Sequence, residues 1–371
     1  MTSEPIPLSA PDVGARERKA IIDAFDSGWI APVGPDLDAF EVELAEYAGA
    51  TAAVALASGT AALHLALLAA DVKAGDEVIV QSATFAASAF AVAHTGAIPT
   101  FIDSASDTWC LDPELLSSFL AERAAVDRLP KAVMSVDLYG STADYLEIER
   151  VCVEYGVQLV RDAAESLGSV STSGKVGSLS APTVVSFNGN KIMTTSSGGA
   201  LFGEPGVVER ARYLSTQARQ PVLHYEHTDI GFNYRMSNLL AALGRAQLAD
   251  LEGKIARREE IAARYRAAFP AFSWCPFTHT PRPNNWLTVA LLPAGDPLAI
   301  CAELNERGVQ ARPAWKPMHQ QPVFFDCEFV RGNGTADLLF KSGICLPSGS
   351  AMSDVAQEVV IRTLTEVLSV D

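Results

Sequence analysis

Three short segments carry residue types that could do chemistry together. In Ala57-Ser58-Gly59-Thr60, small residues stand between a strand-like run and a helical one. Backbone N–H groups are then left free at the positive end of a helix, a setting that favours phosphate. An ordinary helix cap would look the same. The segment is no dinucleotide fingerprint, because GxGxxG is missing, and Gly168 to Lys175 fails as a nucleotide P-loop in length and in the residue after its lysine. Asp162 ends Val157-Gln158-Leu159-Val160-Arg161-Asp162, the most hydrophobic strand-like run. A carboxylate at the C-terminal end of a parallel strand sits where open α/β sheets bind ligands. Desolvated there, it needs a cationic partner such as a protonated ring nitrogen or a metal. Capping the following helix is the plainer use. Finally, Thr183-Val184-Val185-Ser186-Phe187-Asn188-Gly189-Asn190-Lys191 delivers a hydroxyl and then a lysine from the exit of a buried strand. Loss of solvent at such a place favours a neutral amine that attacks carbonyls. Taken alone, this lysine reads as a surface residue.

Together the three segments supply an anion cup, a buried acid and a carbonyl-reactive amine. Those are the anchor, the pyridinium partner and the Schiff-base lysine that pyridoxal 5'-phosphate (PLP) demands. Their order also resembles the DegT/DnrJ/EryC1/StrS family of PLP-dependent nucleotide-sugar aminotransferases, from about Pro11 to Val367. The resemblance rests on Ser58–Leu67, Gly75–Val80, Asp137-Leu138-Tyr139-Gly140, Asp162-Ala163-Ala164-Glu165, Ser186–Lys191 and Gly231-Phe232-Asn233-Tyr234-Arg235-Met236. One departure is the loop Thr194–Gly199, where the family commonly has an acid or a glycine in place of one serine.

The resemblance implies roles. Lys191 and Asp162 are the catalytic pair, the lysine bonding the cofactor and moving a proton, the acid keeping the ring nitrogen protonated. Ser58, Gly59, Thr60 and Ser186 hold the phosphate, with Asn188 beside them. Phe85 stacks on the ring, or is simply core. Glu165 lies near the phenolic oxygen, where a charged carboxylate would be repelled unless one proton is shared. Asn233 reaches the phosphate of the neighbouring subunit, which implies a homodimer with shared sites; a turn residue is the bland reading. His227, Arg235, Trp315, Lys316, Met318 and His319 are the expected contacts of the nucleotide sugar. No residue is an obvious partner for the donor's carboxylate; Arg219 and Arg235 are the candidates. His224 and His227, with Glu226 and Asp229, do not make a defined ligand set, so no metal is expected. The subgroup most similar acts at C4 of UDP-linked 2-acetamido-4-keto-6-deoxy sugars, with an amino acid, L-glutamate, as donor. A dTDP- or GDP-linked sugar, amination at C3, and a non-catalytic PLP-binding regulator are the alternatives, and retention of Lys191 with Asp162 argues against the last.

These residues need a scaffold, and the chain supplies an α/β one. Apolar runs at Ala53–Ala57, Asp76–Val80, Pro99–Asp103, Ala132–Asp137, Val157–Asp162, Thr183–Phe187 and Gly199–Phe202 alternate with helical stretches. That pattern predicts a mostly parallel sheet flanked by helices. By resemblance it is a fold-type I transferase. Residues 1–238, with a short N-terminal arm, are expected to form the large cofactor-binding domain, and 239–371 a linking helix and a small C-terminal α/β domain. Leu239–Phe269 reads as one long helix, possible bend included.

Composition narrows the function classes. With 28 basic and 44 acidic residues among 371, the net charge is −16, and the pI is near 4.8. Nucleic acid and anionic membranes are poor partners for such a surface. The 49% apolar content argues for a packed core. The N-terminus lacks the basic and apolar regions of a signal peptide, and the six cysteines form no CxxC pair. Reduced thiols and a cytoplasmic location are the expectation.

Overall fold

A computed structural model describes residues 5–369. In chain order its elements begin with α1 (Ala15–Asp26), α2 (Pro35–Ala48), β1 (Ala52–Leu56), α3 (Gly59–Ala69), β2 (Glu77–Gln81), α4 (Ala86–His94) and β3 (Ile98–Ile102). Next come α5 (Pro113–Ala125), β4 (Ala132–Val136), α6 (Tyr145–Tyr155), β5 (Gln158–Asp162), the hairpin β6 (Val170–Ser171) and β7 (Gly174–Lys175), β8 (Thr183–Ser186), β9 (Gly199–Gly203) and α7 (Pro205–Ser215). The remainder is α8 (Asn238–Leu248), α9 (Leu251–Ala268), β10 (Ser273–Trp274), β11 (Thr288–Leu291), α10 (Pro297–Glu306), β12 (Arg312–Pro313), β13 (Phe329–Val330), α11 (Thr335–Ser342), β14 (Gly343–Leu346) and α12 (Asp354–Leu368).

The large sheet runs β1-β9-β8-β5-β4-β2-β3-β13, and β9 alone opposes the other described strands. Successive strand residues feed opposite cores. Ile79, Val133, Leu159 and Val185 join Phe40 and Leu44 of α2 on one face. Val80, Met134, Val160 and Val184 join Leu63 and Leu67 of α3 on the other. Two-sided burial is why these strands read as nearly unbroken apolar runs. A second, antiparallel sheet, β10-β11-β14-β12, packs through Ala290, Ile344 and Leu346 on α10 and α12. Among the described residues, no helix is long and apolar enough to cross a membrane.

Two features differ from the sequence reading. The expected single helix over 239–269 is two, α8 and α9, parted at Ala249–Asp250. Asp250 leaves the helical region at φ −120°, ψ 12°. Side chains on both sides of the break hold the N-terminal arm: Gln247 Nε2 donates to the Asp12 carbonyl at 2.8 Å, and Lys254 Nζ does so at 2.5 Å. Helix α8 instead packs on α1 and α2. Strand β13, from the C-terminal part, also extends the large sheet beside β3. Its two residues are too few for periodicity to reveal.

Gly244 lets α8 approach α2, since a Cβ there would come within 2.5–2.8 Å of three Phe40 ring carbons. Alanine gains about 1 kcal/mol in helix propensity, whereas overpacking costs about 1–3 kcal/mol. Gly244→Ala should therefore lower the urea midpoint, a net loss of roughly 1 kcal/mol. A midpoint above wild type would mean that the helices separate freely here.

Candidate active site

The C-terminal ends of β4, β5 and β8 open onto a cavity of about 290 Å³. Of the sequence-derived residues, it gathers Ser58, Gly59, Thr60, Phe85, Asp162, Glu165, Ser186, Asn188, Lys191 and Trp315. A larger groove between α1, α2 and α8 holds none of them.

The anion cup forms because β1 leads directly into α3. Ser58 caps the helix, its Oγ accepting from the Ala61 N–H at 3.0 Å. That use leaves the Gly59 and Thr60 amides, first in the helix, to face the cavity without an intrahelical acceptor. Glycine at 59 spares a tight contact: a Cβ there would lie 3.0 Å from Ser186 Cβ. Its absence brings the Ser186 hydroxyl of β8 against the start of α3, so donors from two elements converge.

Asp162 stands at the end of β5, paired with Val136 of β4 and Val184 of β8. Its carboxylate accepts from Ser88 Oγ at 2.7 Å and from the Ala164 N–H at 3.1 Å. Ser88 in turn bonds Thr84 Oγ1 at 2.8 Å. Burial pushes the Asp162 carboxyl above its ordinary pKa, against the opposing effect of Ser88, Ala164 and Lys191. Among the described residues no ion pair reaches it. A desolvated acid held in place by two hydrogen bonds and open to a cation is the environment a pyridinium N–H requires.

Lys191 Nζ lies 3.6 Å from Glu165 Oε1 and 4.0 Å from the ring centroid of Trp286. Glu165 Oε2 accepts from the Tyr139 N–H at 2.8 Å, where Tyr139 adopts φ +56°. Burial raises the Glu165 carboxyl to about 7, with Lys191 pulling the other way. Near neutral pH it is thus poised to share a proton. Phe85 and Trp315 meet edge to face at 5.9 Å, and Trp315 tilts over Tyr139 at 5.6 Å. The buried Trp315 Nε1 makes no hydrogen bond of normal geometry among the described residues, yet it lies near enough to Glu165 to oppose the rise of its carboxyl. Cup, buried acid and lysine amine on one cavity fit PLP.

Other expected contacts lie elsewhere. Arg235 is bound to Glu41 and to the Ala55 carbonyl at 2.8 Å, so its guanidinium fixes the Gly231–Met236 segment onto β1. Glu41 also receives Arg212 at 2.6 Å and the Ala55 N–H at 2.7 Å. Both ring nitrogens of His319 are occupied, by Ser82 Oγ at 2.7 Å and Asp337 at 2.9 Å, and the ring stacks on Phe329 at 3.7 Å. Met318 is buried in the core. These three do not face the cavity, because fold contacts use them up. Lys316 follows Trp315 without lining the cavity. His227 is exposed, its Nδ1 against the Gln217 carbonyl at 2.8 Å, and Arg219 lies 4.4 Å over the ring of Tyr225. Asn233 is exposed too, while Phe232 and Tyr234 on either side stack at 4.9 Å beside His64. Sequence reasoning missed Ser88 and Trp286. Ser88 is three residues beyond Phe85, but nothing local ties it to Asp162.

The sequence model of the DegT/DnrJ/EryC1/StrS aminotransferase family matches residues 11–365. EpsN of Bacillus subtilis strain 168, named as a candidate pyridoxal phosphate-dependent aminotransferase, is 45% identical over 96% of this chain and 94% of its own. A GDP-perosamine synthase of Caulobacter vibrioides is 32% identical over 98% of each. The solved PLP form of Spr1654, a candidate sugar aminotransferase of Streptococcus pneumoniae, superposes with a TM-score of 0.90 at 26% identity, covering 98% of this chain and 99% of that one.

The Glu165 shift has a sign that can be checked in cofactor-free protein. A carboxyl whose folded pKa is raised costs stability as pH climbs from the unfolded value, near 4.5, to about 7. Glu165→Gln removes that cost. The variant's stability relative to wild type should therefore rise across this window, by at most about 3 kcal/mol. A difference that stays flat with pH in urea melts would show that Glu165 titrates normally.

Proposed function

The chain belongs to the DegT/DnrJ/EryC1/StrS aminotransferase family, and from that premise we propose that it aminates C4 of a UDP-linked 2-acetamido-4-keto-2,6-dideoxyhexose, with L-glutamate as donor. That it is a PLP-dependent sugar aminotransferase follows from its relatives. The observation that carries the catalytic reading is the joint placement of Lys191, Asp162 and the Gly59–Thr60 cup on one cavity.

When bound, PLP supplies a carbonyl to carry the amino group and a ring to take up electrons. The chain's residues do the rest. Gly59, Thr60 and Ser186 hold the phosphate, and Ser58 keeps the cup's helix capped. Asn188 borders the cup and keeps the loop to Lys191 in register. Asp162 holds a proton on the ring nitrogen. Ser88 keeps that carboxylate aimed, which limits reorganisation as charge develops. With PLP in place, Lys191 would move a proton at the sugar carbon that takes the amino group, and Glu165 would share one with the cofactor's phenolic oxygen. Phe85 and Trp315 wall the opening against water and supply apolar faces to ring and sugar. Lys316, one residue beyond, supports diphosphate binding at the rim.

Each site is shared between two subunits of a homodimer. Support comes from the Gly231–Met236 segment, which is anchored by Arg235 on one side and by Phe232 and Tyr234 on the other, leaving Asn233 outward. The stretch before it exposes Leu223, Tyr225 and Ile230 at 102, 78 and 88%, an apolar run suited to burial against a second copy. His227 lies on the same stretch, where it would serve the partner's sugar site.

UDP-, dTDP- and GDP-linked 4-keto-6-deoxy sugars, each offered with glutamate and the product examined by NMR, test the substrate. The UDP-linked acetamido sugar should show kcat/KM at least tenfold above the others, with the new amine at C4. Faster turnover of a GDP-linked sugar, the nucleotide in the perosamine synthases' names, would replace this substrate.

Hybrid dimers test the sharing. Subunits carrying Lys191→Ala should lose at least a thousandfold in kcat, and Asn233→Asp should weaken cofactor retention through charge repulsion at the phosphate. Mixed dimers place both lesions in one site and leave the other intact, so activity should recover toward half. Verified hybrids that stay inactive would put Asn233 in its own subunit's site.

A further inference from the structure

Trp286 is the largest fully buried side chain, and its position is tied down by more bonds than packing needs. Its N–H donates to Asn284 Oδ1 at 2.9 Å. Its carbonyl accepts from the buried Arg258 of α9. Its indole Nε1–H donates to the Asn190 carbonyl at 2.8 Å, one residue before Lys191. Ser9 of the N-terminal arm donates to that same carbonyl at 2.9 Å and accepts from Arg258 Nη2 at 3.0 Å. Three parts of the chain thus converge behind the lysine and fix one indole face toward Nζ at 4.0 Å. A ring face attracts an ammonium group and gains nothing from a neutral amine.

We propose that Trp286 is a positioning residue for Lys191. Whenever the amine is not bonded to cofactor, the indole face holds the ammonium group beside Glu165. This rests on the reading of Lys191 as the cofactor lysine. The charged groups facing the amine are Glu165, 3.6 Å away, and Asp162, which acts on it at longer range. Arg258, behind Trp286, touches only its carbonyl. Glu165 alone would draw Nζ along a single line and leave it free to swing. The ring supplies a second, independent contact at 4.0 Å, so that the amine stays within reach of the carbon atoms it serves.

The test uses full-length protein labelled with 13Cε-lysine and loaded with pyridoxamine phosphate, a state in which Lys191 is not bonded to cofactor. The Lys191 signal is assigned by its loss in Lys191→Arg and followed through a pH titration. Its midpoint should fall by about half a unit to one and a half in Trp286→Leu, with Trp286→Phe in between, as expected for loss of a desolvated cation–π contact. The turnover number should drop about three- to thirtyfold in the leucine variant with the sugar KM unchanged. If that variant does not fold, fluorinated tryptophans in the wild-type sequence, which weaken the ring face without changing its shape, should lower the midpoint stepwise with each fluorine. Equal midpoints across the folded series would overturn the proposal. Borohydride reduction of the PLP-loaded protein separates the two readings: a tag on Lys191 with unshifted midpoints sinks only the role of Trp286, and a tag on another lysine sinks both.

Discussion

A carboxylate buried at the end of a central strand is the constraint on which the active site depends. Asp162 is desolvated by β4, β8 and α4, and among the described residues its carboxylate keeps two hydrogen bonds, from Ser88 and Ala164. An isolated buried charge is costly, and its pKa rises until a cation arrives. The fold therefore stores an unmet electrostatic demand where the ring nitrogen of the cofactor can answer it. Binding the cofactor and ionising the acid are coupled events, each favouring the other.

The remaining parts follow from how strands end. Parallel strands deliver their C-terminal residues to one edge, so Ser186, Asp162 and the loops holding Phe85 and Lys191 meet without any long excursion. The helix after β1 adds its positive end, and glycine at 59 lets the neighbouring strand's hydroxyl close in. Opposite charges would then be separated within one cavity: the cup is placed to take the phosphate's charges, and Asp162 the ring's cation. Glu165, raised by burial to about 7, lines the same cavity beside the lysine.

Much of this was legible in the sequence because it is local. The large-sheet runs from β1 to β9 are apolar on both faces, the cup and acid stand at strand ends, and the lysine follows five residues past one, where spacing betrays them. What was not legible is long-range. Nothing around Arg235 announces Glu41, which lies 194 residues away. His319 looks like a free donor until Ser82, Asp337 and Phe329 enclose it. Trp286 reads as the start of a strand, and only the convergence of the N-terminal arm and α9 reveals that it faces Lys191. The break between α8 and α9 is of the same kind, set by the arm that Gln247 and Lys254 must hold.

The central claim, that Asp162 supplies the charge that keeps the cofactor ring protonated, has a direct spectroscopic test. Protein reconstituted with PLP carrying 15N in the ring should give a pyridinium-type nitrogen shift across the working pH range. In Asp162→Asn the same nitrogen should move to the neutral pyridine position while the cofactor stays bound in the cup. A neutral ring nitrogen in the wild-type enzyme would contradict the account.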